Sequence, residues 1–138
     1  MGKALKIDTK QNITVVDLEE PLYTAIQKEI GGYFQEVRTN RLPENHVMLV
    51  DEEGLLKELP FNAFGSFLYG IDRHNQAIVG DILIMKTKMT VEGPDLTTLS
   101  IEEVGKLSRI FEPMINELKQ TLLDSGVDLE IDYRWDKE

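Results

Sequence analysis

Short runs of alternating apolar and polar residues open the chain and predict strands over residues 3–8 and 12–18. Lys10-Gln11-Asn12 is a polar connection suited to a hairpin, and Ile13, Val15 and Val16 add β-branched character. The period then lengthens. Leu22, Ala25, Ile26 and Ile30 share one helical face, Glu19-Glu20-Pro21 suits a helix start, and Gly31-Gly32 suits its left-handed end. Further strands are predicted over 33–38, 46–50 and 66–71, and the firmest over 77–86, with Ile78, Val79, Ile82, Leu83 and Ile84. Residues 59–65 read as a helical turn or packed loop, and 87–98, with Gly93-Pro94, as a connection.

Ser100 with Glu103 forms a capping box that opens a long helix. Its apolar positions 101, 104, 111, 115, 118 and 122, with Ser108 in the seat between, step by threes and fours as in a heptad. This face covers the sheet or, alternatively, pairs with a second copy; Pro113 predicts a kink or a break. From Val127 to Asp136 apolar and polar residues alternate without exception, so a half-buried strand follows, with Asp128, Glu130, Asp132, Arg134 and Asp136 on its outer face. The elements describe one α+β domain over 1–138. It has a mixed or antiparallel sheet of five to seven strands, a short N-terminal helix and a long C-terminal helix, both helices on one face.

Charge narrows the function classes. Acids outnumber bases 25 to 15, for a net charge of −10, which argues against binding a nucleic-acid polymer or an anionic membrane. There is no cysteine, so disulfides and thiolate chemistry are excluded. The first residues lack the apolar core of a signal peptide, and the reading is a cytoplasmic protein. His46 and His74 stand apart with no zinc spacing, and no nucleophile elbow or phosphate-cradling loop is present. A non-enzyme without cofactor or catalytic metal is the expectation. Asp128, Glu130 and Asp132 lie on one strand face, and a solvated acidic edge is the preferred reading over a weak calcium site.

Two constellations carry binding chemistry. Arg38, Arg41, His46, Arg73 and His74 fall at strand ends and turns, close in sequence order to Phe61, Asn62 and Phe64. Arginine forks and aromatic faces suit a small anionic ligand, and Arg38, Arg41, Asn62, Phe64, Arg73 and His74 are the candidate ligand-binding residues. Offsetting neighbouring acids is the plainer alternative. Secondly, Asp128, Glu130, Asp132 and Asp136 would imitate DNA phosphates toward a host protein, with plain solubility the simpler alternative.

Four stretches, in order, resemble a domain-of-unknown-function family numbered 3846. Residues 30–37 are similar to its "GGYIE" corner, 50–63 to its "NEEGKLxxLPxNRAL" stretch, 77–84 to its "DIIAGTFLVVG" strand, and 99–103 to its "SLTDEE" helix start. Ala63 replaces the family's arginine and Asp81 its threonine. The resemblance covers 3–111 and implies an α+β domain found in bacteria, phages and conjugative elements, with no catalytic residues to transfer. Residues 112–138 form an acidic helix-strand extension holding eight acids and three bases, half of the net charge.

The combined expectation is a non-enzymatic binding protein of a phage or mobile element. It would counter host defence by sequestering a small nucleotide-like signal, as a homodimer or higher homo-oligomer. The alternative is an acidic, DNA-mimicking inhibitor of a host DNA-binding or defence protein.

Overall fold

The computed structural model describes residues 2–70 and 76–126. The elements are β1 (Gly2–Ile7), β2 (Ile13–Leu18), α1 (Leu22–Ile30), β3 (Phe34–Val37), β4 (His46–Asp51), α2 (Ala63–Tyr69), β5 (Ile82–Thr90), β6 (Gly93–Thr97) and α3 (Ile101–Asp124). They form an α+β domain around one six-stranded sheet, ordered β2-β1-β5-β4-β3, with β6 also on β5. Every pairing is antiparallel. The long β5 organises the sheet. One edge takes β4, and the other takes first β1 opposite Ile82–Ile84 and then β6 opposite Lys86–Thr90. Reciprocal bonds between Lys3 and Leu99 hold the exit of β6 beside β1.

The four apolar residues that begin β5 explain the layering. Ile82 and Ile84 point into one core with Leu5, Phe64, Val104 and Phe111, under α2 and α3. Leu83 and Met85 point into a second core with Ala4, Ile26, Ile30 and Leu49, under α1. A strand apolar on both faces must be covered on both. The expectation that the first and last helices share a face is therefore corrected: they lie on opposite sides.

Local signals set the ends of α1 and α3. Gly31 ends α1 at φ 99°, where a Cβ would be penalised. Ser100 Oγ accepts from the Glu103 N–H at 3.1 Å, and Glu103 Oε1 accepts from the Ser100 N–H at 2.8 Å, which completes the capping box. α3 then runs through Pro113 without a break. Pro113 and Arg109 are both exposed, so the carbonyl freed by proline can be hydrated. The inward residues are Val104, Leu107, Phe111 and Ile115, whereas Ile101 is 70% exposed. The heptad-like face is spent on covering the sheet.

Three predicted boundaries move. Residues 66–70 are not a strand, and residue 71 lies outside the described residues; Ala63–Tyr69 is helical because Asn62 caps it, Phe64 and Leu68 stack one turn apart, and Gly70 closes it at φ 91°. The strand expected from residue 77 begins at Ile82, since Gly80 turns the backbone at φ 81° against Leu59. The connection expected over 87–98 is instead the rest of β5, a turn at Val91-Glu92 and β6 from Gly93. Residues 127–136, expected as a strand, lie outside the described residues. Among the described residues no helix is long and apolar enough to cross a membrane.

Candidate functional site

The corner between β3 and β4 builds one wall of a groove. Leu42 is buried and anchors the loop, and the His46 N–H donates to the Pro43 carbonyl at 3.1 Å. Asn45 takes φ 66° and its carbonyl accepts from the Thr87 N–H at 2.9 Å, which ties the corner to β5. His46 thereby starts β4 directly opposite Lys86. Lys86 forms an ion pair with Glu103, in the first turn of α3, and so brings that helix against the corner.

The result is a groove of about 550 Å³ lined by Pro43, His46, Glu103, Lys106, Leu107, Arg109 and Ile110. Three of these side chains are basic groups. Lys106 and Arg109 are exposed, one turn apart on α3, and neither forms an ion pair with a described residue. The Arg109 guanidinium lies back over Gly105, 3.9 Å from where a Cβ would stand. His46 Nδ1 is 2.9 Å from the Glu44 carbonyl; donating there commits Nδ1 and leaves Nε2 for a ligand. Among the described residues, Glu103 is the only carboxylate lining the groove, and it is consumed by Lys86.

That pairing shifts Glu103. The Lys86 ammonium, then the Ser100 N–H, hold its carboxyl below the ordinary carboxylate range. A depressed folded-state value stabilises the fold above the unfolded-chain value of about 4.3, and the contribution disappears as pH falls through the folded value. Glu103→Gln keeps an acceptor for the cap but cannot titrate. It should lower the urea midpoint at pH 7, and the deficit should shrink at pH 3. An equal deficit at both pH values would assign the loss to packing. Asp81 moves the other way. Burial raises it, opposed by Lys6 at 3.7 Å and the Thr9 N–H at 3.3 Å.

The candidate residues named from sequence separate in space. Arg38 is exposed, 3.7 Å from Glu36, and lines a different groove of about 610 Å³ that also carries Asp51, Glu52 and Glu53. Four carboxylates around one guanidinium make that groove unsuited to an anion. Arg41 lies 4.7 Å over the Phe67 ring and donates from NH1 to the Phe67 carbonyl at 2.6 Å. Asn62 and Phe64 are 0% and 1% exposed. Asn62 is committed to four internal hydrogen bonds, and Phe64 packs edge-on against Phe111 at 5.2 Å. Both serve the fold from where they stand. Arg73 and His74 lie outside the described residues, as do Asp128, Glu130, Asp132 and Asp136. Of the basic cluster named from sequence, His46 is the member that the groove retains. Lys106 and Arg109 were legible only as i, i+3 neighbours on an outward helix face.

Residues 2–112 match a family described as a domain of unknown function, DUF3846. No curated protein and no solved structure matches the chain. The basic groove, from Pro43 to Ile110, lies wholly inside the matched span.

Proposed function

The chain belongs to the DUF3846 family, and from that premise we propose that it is a non-catalytic binding protein that sequesters a small, nucleotide-like anion in the groove between the β3–β4 corner and α3. One observation carries this reading: His46, Lys106 and Arg109 converge on one groove, and the two permanent cations lack ion-pair partners among the described residues of a chain with net charge −10. Two adjacent exposed cations without ion-pair partners, beside a histidine in one groove, form a local positive field. Arginine offers a planar fork for two phosphate oxygens, lysine a point charge and histidine a directional donor. Pro43, Leu107 and Ile110 supply apolar walls, and the volume falls within the range of small-molecule sites, about 300–1,000 Å³.

Titration with inorganic phosphate, pyrophosphate, triphosphate and nucleotides, read by calorimetry and thermal shift, tests the proposal. A ligand at a hundred times its Kd should add about 2.7 kcal/mol, or roughly 8 °C for a domain of this size. Affinity should rise with ligand charge and fall with added salt. No stabilisation by any of these anions at millimolar concentration would overturn it.

A further inference from the structure

A second hollow lies farther along the same flank of α3. This hollow holds about 260 Å³ and is lined by Phe64, Phe67, Met114, Glu117, Leu118 and Thr121. Ile110, the last groove residue on α3, and Met114, the first of the hollow, are four apart and therefore stacked on one helix face. Arg41 marks the junction. It lies on the loop that supplies Pro43 to the groove, and its guanidinium rests on Phe67 of the hollow.

We infer that the two hollows take one bipartite ligand: a polyphosphate on the basic groove and a guanine base in the apolar hollow. This inference rests on the proposed anion site and names its ligand class. The first argument is length. The groove's α3 residues centre near position 107 and those of the hollow near 118, an axial separation of about 16 Å. A nucleoside with one phosphate is too short to fill both sites, whereas a nucleoside triphosphate or a dinucleotide reaches.

The second argument is chemistry. Phe67, Met114 and Leu118 offer apolar and aromatic surface to a flat ring, with Phe64 buried behind them. The polar side chains of the hollow are Glu117 and Thr121, and the Thr121 hydroxyl already donates to the Glu117 carbonyl at 3.0 Å. Glu117 is thus the reader, and a carboxylate only accepts. Guanine presents two parallel N–H donors, N1–H and the N2 amino group, to the two oxygens of one carboxylate. Adenine offers only its N6 amino group beside an acceptor nitrogen. At about 16 Å from the phosphates, Glu117 lies beyond the ~8 Å screening length of physiological salt and does not oppose them.

Calorimetry on the full chain tests this with guanosine triphosphate, adenosine triphosphate, guanosine monophosphate and inorganic triphosphate. Guanosine triphosphate should bind at least tenfold more tightly than each of the others. Glu117→Gln, an exposed substitution, should bring it down to the adenosine level and leave inorganic triphosphate unchanged. Equal binding of guanosine triphosphate and inorganic triphosphate would overturn this inference and leave the basic groove standing. Equal binding of the two nucleoside triphosphates would overturn the base assignment. No binding of inorganic triphosphate or either nucleotide would overturn both readings.

Discussion

An Asn62→Ala variant should unfold about 4 kcal/mol more easily than the parent chain, the largest stability loss expected of any single polar substitution here. The Asn62 amide is wholly buried and fully used. Its Nδ2 donates to the Ile7 carbonyl at 3.1 Å and the Gly80 carbonyl at 2.9 Å. Its Oδ1 accepts from the Gly65 N–H at 2.9 Å, which caps α2, and from Gln11 Nε2 at 3.3 Å. Gln11 is itself 1% exposed, sits at φ 68°, and accepts from the Phe64 N–H at 2.7 Å. This pair of amides joins the β1–β2 turn, the start of α2 and the approach to β5. Alanine removes the cap, worth about 1 kcal/mol, and strands buried groups that each cost about 1–3 kcal/mol without a partner. A melting temperature lower by on the order of 12 °C follows. Asn62→Asp should be worse, because a carboxylate cannot donate to the two carbonyls. A loss under 1 kcal/mol in urea titration of Asn62→Ala would show that the network does not carry this load. Because Asn62 lines neither groove, the variant should still bind the anion below its own melting temperature.

The second large effect falls on binding. Reversing both cations in a Lys106→Glu, Arg109→Glu double variant should weaken binding of the anion about 1,000-fold, or ~4.1 kcal/mol. Hydrogen bonds to charged groups are worth about 1.5–3 kcal/mol each, and reversal adds repulsion to their loss. Both side chains are exposed and form no ion pair with a described residue, so folding stability should change by under about 0.5 kcal/mol. This separates a binding defect from a folding one. Arg38→Glu serves as the matched control, since Arg38 lies in the acidic groove, and it should leave affinity within about twofold. If both charge reversals bind alike, the ligand is held elsewhere.

Much of the fold was legible because its signals are local. The hairpin of β1 and β2, the Gly31 stop and the Ser100–Glu103 box each lie within a few residues of the structure they specify. α2 was legible only as a helical turn, because the Asn62 that caps it is itself held from afar. Asn62 meets Gly80, Gln11 and Ile7 across separations of 18, 51 and 55 residues. β6 was missed for another reason. It pairs with the outer half of β5, where Met89 is 77% exposed, so no buried face imposed an apolar alternation.

The same contrast explains the site. Arg38, Arg41, Asn62 and Phe64 were gathered by their nearness in sequence order to loops and aromatics. In space, Arg41 is spent on Phe67, Asn62 and Phe64 are buried, and Arg38 faces carboxylates. The groove instead depends on a relay that sequence spacing does not reveal: His46 opposite Lys86 in the sheet, and Lys86 paired with Glu103 on α3. That relay carries Lys106 and Arg109 to the β3–β4 corner. The groove lies within the family's span, while the apolar hollow draws on Met114, Glu117, Leu118 and Thr121 beyond it.

The most direct test of the account is amide chemical-shift mapping of the full chain during titration with inorganic triphosphate. The account predicts that the largest perturbations fall on His46 and on the α3 amides around Lys106 and Arg109. Perturbations centred instead on Gln35–Arg38 and the Asp51–Gly54 turn, or spread without a centre, would contradict it.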